Sequence, residues 1–508
     1  MSSDSTRPPG LIMAAGTRVA VPDANSVGRL AGHGAVWTFL LILVRYGLNL
    51  LSTAILARLL SVNDYGLIGM MSVLVELLQL FSDIGVSWAT VQRPDLTYGQ
   101  VDDLFWFNTG AGGLLSAICA AAGPCLASFF RQPELSDVAW VMGIGFLIGG
   151  LAVQPAALLK RQMQFRAITV IETVVACSGV VVAVTMAALS FGYWALVWQS
   201  IATQLVRTVL MFYASGYRPR LPRTGRGTLP LLGFGGWVIV MRLTTYVARS
   251  VDKTLLGRRW GAVELGYYSR AFALMSLPTG LATNAVGEVI GPALAAIQSD
   301  TERLGALYRK GLITVALVAA PVAGGLVTAA PEIIRLLYGP KWLPVVPILA
   351  WLSVESLFDP IFSSSSWLFM ATGKVRLGSY VLSIRAALLT LGYAVSIRWG
   401  AVGVAVAHAF VTSVCIALPV LWVAHRAAGL LLRKSLEALS GILGITALMM
   451  AATFLTGSFL GAHGTGWQLV LAAKIGLGVV VYLLGISWAV RSSETLEIGW
   501  KQLMSRLL

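Results

Sequence analysis

MRLTTYVARSVDKTLLGRRWGAVELGYY, residues 241–268, is the stretch on which the reading of the whole chain turns. Its first half is apolar enough for a membrane helix, yet it carries Arg242, Tyr246, Arg249 and Lys253. These positions step by 4, 3 and 4, which sets all four on one stripe of a helix with 3.6 residues per turn. A cation in the middle of a membrane helix costs roughly 2.5–3.5 kcal/mol on insertion scales, so such a stripe faces protein or water and not lipid. The stretch also has an echo 200 residues earlier. Tyr46, Leu56, Arg58 and Gly66 fall on Tyr246, Leu256, Arg258 and Gly266, and Asp64 falls on Glu264. The echo predicts two similar helical bundles, the second opening near residue 242, with a positively lined cavity between them.

The remaining composition agrees with membrane helices. Of 508 residues 57% are hydrophobic and 12% charged, and the mean hydropathy is +0.79. These values exclude a soluble globular chain and describe a polytopic membrane protein. The 53 Gly allow helices to approach closely, and the 16 Trp suit the membrane interfaces. A net charge of +15 would suggest nucleic acid in a soluble protein; here the excess of Lys and Arg in inner loops accounts for it, and no nucleic-acid partner is expected. Cys119, Cys125, Cys177 and Cys415 lie in apolar runs without CxxC or Cys/His spacing, so they read as packing residues, with neither disulfide nor metal. No GxxxxGK[ST] motif is present, so any active transport is driven by an ion gradient, the membrane potential or substrate flux. No cofactor is expected.

Fourteen apolar runs are long enough to span, at about 20 residues each. They fall near 34–57, 66–90, 104–128, 138–159, 168–189, 193–213, 232–254, 266–290, 311–334, 345–371, 377–397, 402–424, 437–460 and 467–490. With the N-terminus inside, the inner segments include KRQMQFR (160–166) and YRPRLPRTGR (217–226). Inner segments then hold about 22 Lys and Arg against about 7 outside, which predicts both termini in the cytoplasm. The expected organisation is a cytoplasmic tail (1–32), an N-lobe of helices 1–6 (33–213), a basic cytoplasmic linker (214–230) and a C-lobe of helices 7–12 (231–424). Helices 13 and 14 (425–491) and a second cytoplasmic tail (492–508) complete it. The N-terminal apolar patch at 11–15 is too short for a signal-peptide core.

Three more polar stripes accompany the first. Arg45, Asn49 and Ser52 share one face of helix 1, and Ser72, Glu76, Gln79 and Asp83 one face of helix 2. Glu355 and Asp359 lie one turn apart in helix 10, followed by Ser363 and Ser366. Single charges recur at Glu172, Arg207, Arg270, Glu288, Arg385 and Lys474. Arg207, Glu288 and Lys474 read as internally paired or snorkelling from helix ends. Arg45, Arg249 and Arg270 read as cavity residues, because several buried cations require an anion or water. A diphosphate suits them, since Arg offers planar forked donors to its oxygens. Glu76, Asp83, Glu355 and Asp359 are salt-bridge partners first and proton or sodium sites second. His408 reads as a packed, hydrogen-bonded histidine rather than a proton relay.

ARLLSVNDYGLIGM (57–70), ALLKRQMQFR (157–166), FGYWALVWQ (191–199), VDKTLLGRRWGAVELGYYSRAFALMSLP (251–278) and LLYGPKWLPVVPIL (336–349) together resemble the Wzx-type polysaccharide flippases. These form a branch of the multidrug/oligosaccharidyl-lipid/polysaccharide exporter superfamily. The resemblance implies an all-α integral membrane fold of about fourteen helices, two pseudo-symmetric six-helix lobes plus two C-terminal helices. It implies a bacterial inner-membrane flippase, not an enzyme, that moves undecaprenyl-diphosphate-linked oligosaccharide repeat units from the cytoplasmic to the periplasmic leaflet by alternating access. The implied partners are membrane lipids, a polysaccharide polymerase with export machinery, and H+ or Na+ as coupling ion. The substrate-binding candidates are then Arg45, Asn49, Arg242, Tyr246, Arg249, Lys253, Arg270 and Arg385. Glu76, Asp83, Glu355 and Asp359 are the ion-coupling or salt-bridge candidates. A lipid II flippase and a drug or metabolite antiporter of the same superfamily are the nearest rivals. A membrane glycosyltransferase, polymerase or ligase is disfavoured by the short outer loops, and a scaffold by its lack of need for buried polar stripes.

Overall fold

The computed structural model describes residues 41, 44–82, 87, 90–91, 93, 96–221 and 236–492, and its elements are helices. In chain order α1 covers 44–59, α2 Val62–Gln79, α3 Tyr98–Phe130, α4 Glu134–Arg161, α5 Phe165–Ala188 and α6 Trp194–Ser215. The segment Gly236–Ala296 is broken at Gly261 (φ 80°, ψ −171°) into α7 (236–260) and α8 (262–296). Then follow α9 Thr301–Thr328, α10 Val345–Ala371, α11 Val375–Ser396, α12 (400–428), α13 Leu432–Ala462 and α14 Trp467–Ser492. Among the described residues nine helical segments are long and apolar enough to cross a membrane, with α11 and α12 counted as one. The expected all-α membrane class holds. The helices outside that set are α1, α2, α7 and α8, where the polar stripe of residues 242–253 and its two N-terminal counterparts lie. Large apolar side chains such as Val181, Leu455 and Trp488 are exposed, as lipid-facing positions require.

One expected span is cut short. The run 311–334 ends as a helix at Thr328, and Ala330–Leu337 forms a separate short helix. Pro331 sits in the first turn of that second helix, where its missing N–H is tolerated, but it cannot continue the first.

The chain divides into two compact units, Met1–Tyr246 and Val247–Leu508. In the first unit α3 and α4 form the tightest pair. An added methyl at Gly112 would stand 2.6 Å from the carbonyl oxygen of Phe146, and one at Gly150 2.6 Å from that of Asn108. The backbones touch there, as small residues allow in membranes. Beyond this contact α4 packs on α6 and α6 on α5. Arg161, buried at the end of α4, donates through Nη1 to the carbonyls of Thr90 (2.8 Å) and Arg93 (2.6 Å). It thereby supplies donors that helix-terminal carbonyls lack. At the start of α3, buried Asp102 accepts from the Tyr217 hydroxyl (2.7 Å) and the Arg220 amide (3.3 Å), and Trp106 donates to the Arg220 carbonyl (2.7 Å). Burial, with Asp102 beside it, pushes the Tyr217 hydroxyl far above its ordinary pKa, so it remains a donor. The first residues after α6 are therefore fastened to the first unit.

In the second unit α10 packs on α9 and α12, and α11 folds back on α12. The hairpin α13–α14 is docked on α9 by polar contacts. Lys474, buried in α14, donates to Glu332 Oε1 (2.8 Å) and to the Thr328 carbonyl (2.8 Å). That carbonyl is one of those left open where α9 ends. Tyr482 donates to the Leu317 carbonyl (2.9 Å), and Thr453 to the Thr328 hydroxyl (3.0 Å).

A common device recurs in both units. Asp64, three residues into α2 after the break at Ser61, closes a capping box with Ser61 and lies against Gly192 (φ 56°), just before α6. Glu264, three residues after the break at Gly261, accepts from the Ala401 amide (3.2 Å) and lies against Gly400 (φ 69°), at the start of α12. Each acid faces the N-terminal end of a helix, where a negative charge is favoured. Each partner is a glycine because a positive φ is needed there. The residues are those of the sequence echo, Asp64 over Glu264.

Replacing Gly112 or Gly150 by Ala should force the α3 and α4 backbones apart. The expected loss is about 1–3 kcal/mol, read as a lowered midpoint of thermal unfolding of the purified protein in detergent. Ala at Gly110 or Gly113, where the added methyl meets no backbone within 4 Å, is the control.

Candidate functional site

The second unit encloses a polar network among apolar helices. The break at Gly261 makes it. Asp252 and Tyr268 are 16 residues apart, which on a straight helix would be about 24 Å, yet the Tyr268 hydroxyl donates to Asp252 Oδ2 at 2.7 Å. Both are buried. The chain therefore reverses between α7 and α8 and sets an acid of one against a phenol of the other. The second oxygen, Oδ1, accepts from the Lys253 amide at 2.7 Å.

Glu355 in α10 is the centre of the second half of the network. Its Oε1 lies 3.6 Å from Arg385 Nη2 of α11 and 3.7 Å from His408 Nε2 of α12. These separations are ionic contacts, too long for hydrogen bonds. The Arg385 side chain is 17% exposed and that of Glu355 5%, so each is the other's main compensation. The guanidinium lies 4.0 Å over the ring of Phe362, a cation–π contact that adds to its anchoring. The other ring nitrogen of His408, Nδ1, is hydrogen-bonded to the buried Tyr393 hydroxyl at 2.6 Å, and the Phe272 ring meets the imidazole edge to face. Asp359, one turn beyond Glu355, accepts from Ser363 (3.2 Å). Just past His408, α12 widens into a π-helix at Val411–Ile416. Thr412 within it is fully buried, and its hydroxyl has no hydrogen-bond partner. Such local widenings concentrate at functional sites.

Of the candidates read from the sequence, the structure brings Glu355, Asp359 and Arg385 together. Arg385 was expected to bind substrate, and its observed neighbour is Glu355. In the first unit Arg45 is half-buried and Asn49 exposed on α1, and Glu76 is half-buried on α2. Tyr246 donates to the Val73 carbonyl of α2 at 2.6 Å. Lys253 and Arg270 are half-buried in the second unit. Burial raises the Tyr338 hydroxyl above its ordinary pKa, and Arg270, close by, pulls it part of the way back. Arg242 and Arg249 lie on α7, but their side chains, like Asp83 as a whole, fall outside the described residues. Arg207 pairs with Glu172, and Lys474 with Glu332.

Sequence reasoning missed Asp252, Tyr268 and Tyr393. Asp252 sits inside the stretch that decided the fold but off the stripe of Arg242, Tyr246, Arg249 and Lys253. Its only signal was being an acid in an apolar run, which by itself names no partner. The partner follows only from the reversal at Gly261.

Residues 55–347, more than half of the chain, match the family described as polysaccharide biosynthesis protein. The succinoglycan biosynthesis transport protein ExoT of Rhizobium meliloti (strain 1021) is 27% identical over 481 residues, 92% of this chain and 94% of that protein. The lipopolysaccharide biosynthesis protein WzxC of Escherichia coli (strain K12) is 27% identical over 348 residues, 67% of this chain and 70% of that protein. Among solved structures, the lipid II flippase MurJ in an inward closed conformation matches with a TM-score of 0.75 at 14% identity, over 90% of this chain and 99% of that one. At that identity the likeness is one of fold. The resemblance read from the motifs is borne out by these matches.

Removing Glu355 should leave Arg385 buried without its counter-charge. Glu355→Ala is expected to lower stability by about 3–5 kcal/mol, and Glu355→Ala combined with Arg385→Met by clearly less than the sum of the two single changes. Thermal unfolding of the four proteins in one detergent measures the coupling.

Proposed function

The chain belongs to the polysaccharide biosynthesis protein family, and we propose that it is a flippase for undecaprenyl-diphosphate-linked oligosaccharide repeat units. In this reading it is a secondary transporter and not an enzyme, seated in the bacterial inner membrane with both termini in the cytoplasm. It moves the repeat unit from the cytoplasmic to the periplasmic leaflet, where a polymerase and export machinery take it up. The family match through residues 55–347 is the observation that carries the reading.

The physical problem is to carry a hydrated glycan and a diphosphate through hydrocarbon. Each unsatisfied polar group there costs several kcal/mol. A polar cavity that opens first to one side and then to the other removes that cost while the polyprenyl tail stays in lipid. We assign the diphosphate to the cationic stripes, with Arg45, Asn49, Arg242, Tyr246, Arg249, Lys253 and Arg270 as its contacts. Forked guanidinium donors match its oxygens in charge and shape.

Ion coupling is assigned to the acids, Glu76 and Asp83 in α2 and Glu355 and Asp359 in α10. The contacts of Glu355 support the second pair. Loss of its negative charge on binding a proton, or its neutralisation by sodium, would leave Arg385 uncompensated and shift the balance of α10, α11 and α12. One cation moved inward per cycle supplies roughly 2.3 kcal/mol per 100 mV of membrane potential. Arg385, held by Glu355, belongs in this reading to the acid network more than to the diphosphate site.

Purified protein in liposomes should move fluorescent undecaprenyl-diphosphate oligosaccharide between leaflets. Arg249→Ala should slow transfer about tenfold or more, a loss of about 1.4 kcal/mol at the barrier. Transfer unaffected by the change would remove Arg249 from the diphosphate site. No transfer by the wild type under imposed proton or sodium gradients would sink the flippase reading.

A further inference from the structure

The ion pair between α5 and α6 has an exposure that its place in the membrane does not explain. Arg207 Nε and Nη2 donate to the two oxygens of Glu172 at 3.0 and 2.9 Å, and Arg207 Nη1 donates to Gln204 Oε1 at 2.8 Å. Both charged residues lie inside helices that cross the membrane. The Arg207 side chain is nevertheless 36% exposed and that of Glu172 22%.

The lipid-facing sides of these helices are easily located. On α5, Val170, Val174 and Val181 are exposed, and on α6, Leu205, Val209 and Tyr213. Glu172 stands midway between Val170 and Val174, and Arg207 midway between Leu205 and Val209. Two residues along a helix of 3.6 per turn is a rotation of roughly 200°. Each charge is therefore on the side of its helix opposite to the lipid stripe. A charged side chain that faces away from lipid and yet stays exposed borders water. The inner side of α5 and α6 is thus open to water at the trio.

The chemistry of the trio selects its ligand. Glu172 cancels the charge of Arg207, so the pair has no net attraction for a diphosphate. What remains is a fan of donors and acceptors. Two guanidinium N–H groups are not used in the three bonds above, and each Glu172 oxygen accepts only one of them, with lone pairs to spare. A sugar hydroxyl both donates and accepts, and vicinal hydroxyls meet such a fork in two places at once. We infer that Glu172, Arg207 and Gln204 form a binding site for the hydroxyls of the glycan, separate from the cations assigned to the diphosphate. The inference rests on the transport reading above. It adds that the first unit senses the sugar as well as the lipid carrier.

The test compares transfer of two lipids in liposomes, lipid-linked oligosaccharide extracted from the source cells and bare undecaprenyl diphosphate. The measured quantity is the ratio of the two rates. In Glu172→Gln/Arg207→Gln the ratio should fall at least tenfold, about 1.4 kcal/mol of lost discrimination, with the thermal unfolding midpoint kept. An unchanged ratio overturns the site. So does an equal loss of both rates with lowered stability, restored when the pair is exchanged as Glu172→Arg/Arg207→Glu, since that pattern marks a tie between helices. If the wild type moves neither lipid, the transport reading fails, and binding of the two lipids in detergent decides the site. Preference for the glycosylated lipid, lost in the double variant, sustains it; equal binding overturns it.

Discussion

A charge in a low-dielectric interior must be met by an opposite charge, by hydrogen bonds or by water, and this one requirement organises the molecule. Glu355 meets Arg385 and His408, Lys474 meets Glu332, and Glu172 meets Arg207. Each of these pairs joins different helical elements, so the apolar bundle is cross-linked at a few defined heights. Dispersion and small-residue contact bring the helices close, as at Gly112 and Gly150. The polar pairs then fix which helix meets which, because a slip of one turn would strand a charge.

The second organising element is a helix break followed by an acid. Helix α2 follows the break at Ser61, and α8 the break at Gly261; in each the third residue is an acid aimed at a glycine before or at the head of a later helix. The placement of the acid is what the two units share; the breaks before it differ, an extended capping residue at Ser61 and a positive-φ glycine at Gly261. Most positions of a membrane helix need only be apolar, so identities there drift freely. An acid set against the head of a later helix admits few residue types, and Asp64 over Glu264 keeps that charge.

Much of the fold was legible because hydrophobic runs of spanning length are a strong signal. The run 311–334 was misjudged at its end because apolar character continues through Ala329 and Ala330 while Pro331 breaks the helix. The site was legible only in half. Glu355 and Asp359 announced themselves by spacing within one helix. Asp252, Tyr268, Tyr393 and His408 act across helices, and no periodicity along the chain tells which turn of one faces which turn of another. His408 illustrates the difference. A histidine inside an apolar helix is expected to be bonded, and the structure supplies the bond to Tyr393 with Glu355 just beyond it.

The docking of the last two helices has an evolutionary consequence. Lys474 belongs to α14, while its partners Glu332 and the Thr328 carbonyl belong to the segment that ends α9 and begins the next short helix. Neither half is useful alone. A related chain that stopped after twelve helices would inherit a half-buried acid without its lysine, and selection would replace it. The two positions are thus expected to change together across lineages, and the acid in the short helix after α9 becomes a marker, readable in sequence, of descent with the C-terminal hairpin.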